Sequence, residues 1–177
     1  MPPIDIRPLR PADLDIVPQA FAAAGWPGKP VELYRDYLRQ QESGLRHVLV
    51  ATVSGTFAGY LTVCWTSGYP PFREAGIPEI KDFNVLPAAR RRGVGSALMD
   101  AAEAAIVTRS PVAGIGVGLY ADYGAAQRLY TRRGYVPDGR GVVYRNVAVE
   151  PGASVTVDDD LVLMMTRHLP HLAAADS

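Results

Sequence analysis

The sequence holds a single cysteine, Cys64, which excludes an internal disulfide framework and a multi-cysteine zinc site. Its apolar, strand-like neighbours make Cys64 a small core residue and not a nucleophile. Lysine is nearly missing: of 18 basic residues only Lys29 and Lys81 are not arginine. The arginine bias runs along the whole chain, so one arginine carries functional weight only where its spacing does. No charge of one sign is left over, because 18 basic residues meet 18 acidic ones. The basic excess expected of a general nucleic-acid binder is therefore lacking. The three histidines, His47, His168 and His171, bring no third ligand with them, which argues against a metal site. No run of 18 or more apolar residues exists, so no membrane span is expected. The first ten residues, MPPIDIRPLR, carry charges and no apolar stretch of the signal-peptide kind, so the expected location is cytoplasmic.

What is present is ordinary for a soluble globular protein. The chain has 177 residues, 48% hydrophobic and 20% charged, enough to bury a core without covalent staples. The expectation is one domain over residues 1–170, followed by a frayed tail at 171–177.

Residues 4–7 alternate apolar and polar as a short strand does, and Pro8 and Pro11 end it. Leu14, Val17 and Phe21 then recur at helical spacing up to Gly25; Pro18 inside this pattern should kink the helix or mark a second start. After a Gly25-Trp26-Pro27-Gly28 turn, Val31, Tyr34 and Leu38 share a face of a second helix. Residues 46–53 and 57–65 are β-rich and separated by Ser54-Gly55-Thr56, which predicts a hairpin. Residues 66–77 read as a loop and 78–86 as a strand. A long helix follows over 93–109, with Val94, Ala97, Leu98, Ala101 and Ala105 as its apolar stripe. A strand over 114–119 leads to a helix that Asp122 can cap and Gly134 can close. Strand-like runs over 135–149 and 161–166 complete the order β-α-α-β-β-β-α-β-α-β-β, an α/β or α+β mixed-sheet domain.

The most informative stretch runs Val85-Leu86-Pro87-Ala88-Ala89-Arg90-Arg91-Arg92-Gly93-Val94-Gly95-Ser96. A strand ends at a proline, a basic loop follows, and a glycine-containing helix begins. The first N–H groups of a helix have no internal partner and sit at the positive end of its dipole, so they favour an anion. Gly93 and Gly95 lack a Cβ, which lets a pyrophosphate approach the backbone. No Gly-Lys-Ser/Thr follows, so this is not a P-loop. Leu98 stands where a dinucleotide fingerprint needs its third glycine. The bland alternative is a cap glycine beside a solvated basic turn.

Arg90-x-x-Gly93-x-Gly95 after a Val-x-Pro strand end resembles the acetyl-CoA motif of the GNAT N-acetyltransferase superfamily. A second stretch, from Tyr123 to Tyr135, is similar to the family pattern Asn-x-x-Ala-x-x-Leu-Tyr-x-x-x-Gly-Phe/Tyr. Ala126, Leu129, Tyr130, Gly134 and Tyr135 match it, and Tyr123 takes the place of the asparagine. The resemblance spans roughly residues 4–169. It implies a mixed, mostly antiparallel twisted sheet of about seven strands with about four helices, the fourth and fifth strands splayed. Acetyl-CoA would be the co-substrate, with no metal. Pantetheine would pair as a pseudo-strand in the splay, beside a bulge near Val85. The pyrophosphate would rest on N–H groups of Arg91, Arg92, Gly93, Val94, Gly95 and Ser96, with Arg90 and Tyr123 also at the cofactor. An N–H near Val85 or Leu86 would polarise the thioester carbonyl.

The same resemblance gives Tyr130 the role of general acid toward the leaving thiolate, and places it at the cofactor. The base is open between Glu79, Asp82 and a water relay; strand parity puts Glu79 on one face with Lys81, Phe83 and Val85, and Asp82 on the other. The acceptor loops offer Trp26, Tyr69 and Phe72, and Asp158, Asp159 and Asp160, which suit a small cationic amine. The reading is acetyl transfer to a primary amine of a small molecule. Alternatives are a protein-lysine or N-terminal acetyltransferase and a non-catalytic acyl-CoA sensor. A nucleic-acid module around Arg90, Arg91 and Arg92 is disfavoured by the neutral charge. A homodimer is compatible with the fold.

Overall fold

Alternation and turn chemistry build the first strands. β1 (Ile4–Pro8) runs antiparallel to β2 (Arg46–Val53), with Ile4 opposite Val53 and Pro8 opposite Leu49. β2 turns into β3 (Thr56–Cys64) through Ser54 and Gly55, both left-handed at φ 49° and 81°. Two such residues are what a tight hairpin of this hand requires. The structure, a computed structural model, describes residues 2–26 and 29–170. Pro27 and Gly28 of the expected turn, His171 and the expected tail lie outside the described residues.

α1 (Asp13–Ala23) and α2 (Val31–Glu42) precede β2. Pro18 lies inside α1 without dividing it, so the expected second start is absent. Buried Val17 and Phe21 on either side of Pro18 anchor both halves to the same core. Asp13 fastens the start of α1. Buried to 1% exposure, it accepts Arg7 Nη1 at 2.7 Å, Arg7 Nη2 at 2.8 Å and the Arg10 N–H at 2.8 Å. Burial works against its charge, but the Arg7 and Arg10 hydrogen bonds hold its carboxyl below the ordinary range. Leu9, Val17, Phe21, Tyr34, Tyr37, Val48, Val50, Phe57 and Tyr60 pack as one core.

The stretch expected as a loop after β3 contains a short helix, α3 (Pro70–Glu74), opened by two prolines at its first positions. β4 (Glu79–Val85) leads through a 3₁₀ turn at Pro87–Ala89 to α4 (Val94–Ile106). The buried face of α4 is Val94, Leu98, Met99, Ala102 and Ile106, rotated from the expected stripe. Its larger side chains, Met99 and Ile106, set the face, and Ala97, Ala101 and Ala105 flank it. β5 (Val112–Gly118) and α5 (Gly124–Arg132) follow. Asp122 does not cap α5: a 3₁₀ turn over Ala121–Tyr123 intervenes, and Tyr123 stands at the N-cap with no side-chain cap bond. Gly134 is left-handed at φ 88° just past the helix, as its position predicts. β6 (Val136–Tyr144), β7 (Val147–Ala148) and β8 (Leu161–His168) end the described chain.

Among the described residues eight strands are ordered β1-β2-β3-β4-β5-β8-β6-β7 in a mixed α/β fold with five helices. β1–β2, β2–β3, β5–β8, β6–β7 and β6–β8 pair antiparallel, and β4 and β5 run parallel over Glu79↔Gly114 and Ile80↔Ile115. The added strand is the two-residue β7 and the added helix is α3, both too short for periodicity to show. The chain divides into two compact units: Met1–Trp65 with Lys81–Ala105, and Thr66–Ile80 with Ile106–Ser177. In the second unit Tyr69, Phe72, Val143 and Met164 pack as one core cluster. Among the described residues no helix is long and apolar enough to cross a membrane, and no group of three or more His, Cys, Asp or Glu could hold a metal ion.

Candidate active site

In the first unit, the end of β4 and the start of α4 form a backbone cradle. Arg91 and Gly93 are both left-handed, at φ 57° and 84°. Arginine enters that region only at a steric cost, so the loop is over-determined by its surroundings. Left-handed residues interleaved with right-handed ones can turn successive N–H groups toward one point, a concavity that suits an anion. The first helical bond of α4 runs from the Ala97 N–H to the Gly93 carbonyl at 3.0 Å, so the N–H groups of Val94, Gly95 and Ser96 precede the helical ladder. Arg91, Arg92, Gly93 and Ser96 are exposed and Gly95 is half-buried. Arg91 and Arg92 also line a small recess of about 120 Å³ with Pro2, Ile4 and Val53. Arg90 is engaged elsewhere: its Nε donates to the Val85 carbonyl at 3.2 Å, and its guanidinium lies 5.1 Å from the Trp26 ring centre. Trp26 in turn stacks on Phe21 at 5.6 Å.

β4 departs from a regular strand at Asp82, which is left-handed at φ 52°. This break lies three residues before Val85, and strict alternation along β4 fails there. Asp82 receives Tyr60 OH at 2.5 Å, Tyr37 OH at 2.9 Å, Asn84 Nδ2 at 2.9 Å and the Lys29 ammonium. Burial alone would raise its pKa; the charge and hydrogen bond of Lys29, with the two tyrosine hydroxyls, hold it below the ordinary carboxylate range. The same carboxylate, added to burial, pushes the Tyr37 and Tyr60 phenols up. The Leu86 N–H donates to the Ala58 carbonyl at 2.9 Å, so it is committed within the unit and is withdrawn as an oxyanion donor. Gly59 is what permits this packing: a Cβ there would collide with the Asn84 carbonyl.

In the second unit, Glu79 is buried at 3% exposure and accepts the Ser67 hydroxyl, whose oxygen accepts the Tyr69 N–H at 2.9 Å. Glu79 thus anchors the loop that enters α3. Tyr69 and Phe72 are both 2% exposed and pack edge to face at 5.0 Å. The Tyr69 hydroxyl donates to Asp138 at 3.0 Å, and burial with that carboxylate pushes its pKa up to about 12. Phe72 lies against Gly114, where a Cβ would collide with its ring. The aspartate triplet is occupied within its own unit: Asp158 accepts Tyr144 OH at 3.1 Å, Asp159 accepts both Tyr120 OH and Tyr123 OH, and Asp160 pairs with Arg145 at 3.0 Å. The Tyr123 ring covers Gly118, where a Cβ would strike it. Tyr130 on α5 is buried at 4% exposure, 6.1 Å from the Tyr135 ring, and burial pushes its phenol up.

A family model for the Acetyltransferase (GNAT) domain matches residues 44–137, from before β2 to the start of β6. The chain belongs to the GNAT acetyltransferase family. No curated protein matches it by sequence. Among solved structures, this GNAT chain is similar to a GNAT-family protein from Desulfovibrio desulfuricans (TM-score 0.71, 18% identity, covering 95% of this chain and 100% of that one). It is similar to yncA from Salmonella typhimurium, solved with acetyl-CoA (TM-score 0.65, 21% identity, covering 98% of each). It is also similar to the ribosomal-protein-S18-alanine N-acetyltransferase from Escherichia coli (TM-score 0.66, 14% identity, covering 99% of each). At these identities the likeness establishes the GNAT fold. The polar residues that sequence reading passed over in this GNAT chain are Lys29, Tyr37, Tyr60 and Asn84 around Asp82, and Ser67 on Glu79. One signal was available: Lys29 is one of only two lysines.

Proposed function

We propose that this chain transfers the acetyl group of acetyl-CoA to a primary amine of a small molecule, by direct attack in a ternary complex. The observation that carries the reading is the cradle in front of α4, with left-handed Arg91 and Gly93 ahead of three unladdered N–H groups. Acetyl-CoA would supply an activated acetyl group as a thioester. The N–H groups of residues 91–96 would hold its pyrophosphate, and Arg91 and Arg92 would add charge. With Leu86 committed to Ala58, the Val85 N–H is the remaining donor for the thioester carbonyl. Tyr130 would hand its phenol proton to the departing thiolate. Its raised pKa keeps that proton in place through neutral pH.

For the amine's proton we rank Glu79 above Asp82. Four donors and a depressed pKa make Asp82 a poor proton acceptor. A base fails as pH falls through its pKa, so its loss removes the acidic limb of kcat/KM. Glu79→Gln is expected to lose that limb and most of the rate, whereas Asp82→Asn keeps the limb. The opposite pattern assigns the proton to Asp82; a limb kept in both variants leaves water or free amine as the base.

The first test needs no acceptor. Acetyl-CoA at about 100 times its dissociation constant should stabilise the fold by roughly 2.7 kcal/mol and raise Tm accordingly. No shift at millimolar acetyl-CoA or CoA overturns the donor site. Thiol release with a panel of amines and peptides then identifies the acceptor class.

A further inference from the structure

The carboxylate of Asp82 is arranged as though a small cation belongs beside it. Lys29 Nζ meets Asp82 Oδ1, lies 3.2 Å from the Tyr60 hydroxyl and 5.8 Å from the centre of the Tyr60 ring. A carboxylate oxygen and a phenol oxygen thus hold one ammonium. The seat draws on three elements of the fold: Tyr37 on α2, Tyr60 on β3, Asp82 and Asn84 on β4. Its occupant comes from the segment between α1 and α2. The Lys29 side chain is 39% exposed and that of Asp82 14%, so the cation can leave while the carboxylate stays.

Two further observations single the seat out. Asp82 keeps a left-handed backbone inside a strand, an uncommon conformation there even for an aspartate. The cation is also atypical for the chain. Every basic residue except Lys29 and Lys81 is arginine. Arginine's planar fork seeks two parallel oxygens of one group, whereas this seat offers one carboxylate oxygen and one phenol oxygen from different residues. That set fits a compact three-donor ammonium.

We propose that Asp82, Tyr37 and Tyr60 form a seat for a primary ammonium group of the acceptor, which Lys29 fills in the resting protein and vacates on binding. The word acceptor rests on the acetyltransferase reading; the seat itself does not. An ammonium beside this carboxylate is held in its charged form, and a charged ammonium has no lone pair to attack a thioester. The seated group is therefore not the one acetylated. The acceptor carries a second amino group, as a diamine or polyamine does.

With only two lysines, isotope-labelled lysine gives two side-chain signals by NMR, assigned with Lys81→Arg. Titrating 1,4-diaminobutane into the CoA-free protein at constant ionic strength is expected to move the Lys29 signal to the free-lysine position. Lys81 stays put, and n-butylguanidinium moves neither. In Asp82→Asn the Lys29 signal starts at the free position and does not respond. Tyr37→Phe, which keeps the carboxylate, should need more diamine for the same shift and serves if Asp82→Asn fails to fold. A Lys29 signal that stays fixed at saturating diamine, equal movement of both lysines, or an equal response to n-butylguanidinium overturns the seat. Because no acetyl-CoA is present, the seat and the acetyl-transfer reading fail separately. In turnover, KM for 1,4-diaminobutane should be about tenfold below that for n-butylamine, the worth of one charge-assisted hydrogen bond, and the gap should close in Asp82→Asn. Equal KM values in the wild type overturn the two-amine reading.

Discussion

Tyr130→Phe should lower kcat by about 10²–10⁴ while leaving CoA affinity nearly unchanged. The ring stays, so the packing of α5 on Tyr135 is kept, and only the hydroxyl is removed. The group has the features of a proton donor: it is buried, so bulk water does not compete, and its raised pKa keeps it protonated. The measurement is single-turnover acetylation in the wild type and the variant, with CoA affinity determined alongside. The acid role predicts loss in the chemical step alone. If single-turnover rates match, Tyr130 is a packing residue. If CoA affinity falls in step with rate, its hydroxyl serves binding.

Gly95→Val should weaken CoA binding about 10²-fold or more, while the folded state changes little. Gly95 is the second residue of α4 and half-buried. Valine and glycine differ by only a few tenths of a kcal/mol in helix propensity, so the helix itself tolerates the change. The branched side chain would stand at the N-terminal N–H groups where the pyrophosphate is proposed to rest. Losing two hydrogen bonds to a charged group, at about 1.5 kcal/mol each or more, gives that factor. Calorimetric titration with CoA measures it, and urea unfolding checks the fold. Equal affinity in both proteins places the anion elsewhere.

The parts of the site legible in the sequence are those made by neighbours in the chain. Arg90-x-x-Gly93-x-Gly95 announces a basic turn and a helix start within six residues, and the structure forms that turn with Arg91 and Gly93 left-handed. The α5 pattern likewise places Tyr130 and closes at Gly134 within one helix and its C′ residue. What stayed hidden depends on residues far apart. Asp82 gathers Lys29, Tyr37 and Tyr60 from separations of 53, 45 and 22 residues, which no local period encodes. The break at Asp82 itself is invisible to alternation, because aspartate tolerates both hands of backbone. Leu86 was a natural oxyanion donor until its N–H met Ala58, a partner supplied by β3. Phe72 and Tyr69 read as loop aromatics, yet Gly114 opens a place for Phe72 beneath α3. Asp158, Asp159 and Asp160 read as acceptor-loop carboxylates for a cationic amine, yet each has a partner in its own unit.

The clamp of Arg90 on Trp26 and the Val85 carbonyl has a thermodynamic consequence. Trp26 rests on Phe21, so the first residue of the basic loop is tied to the core of its unit before any ligand arrives. Preorganisation of this kind reduces the entropy lost on association, because the loop has little freedom left to surrender. A dinucleotide-sized ligand held at such a loop, as proposed, would bind with its electrostatic contacts largely unopposed by chain ordering. Loosening the clamp at Trp26 would convert part of that advantage into an entropic penalty.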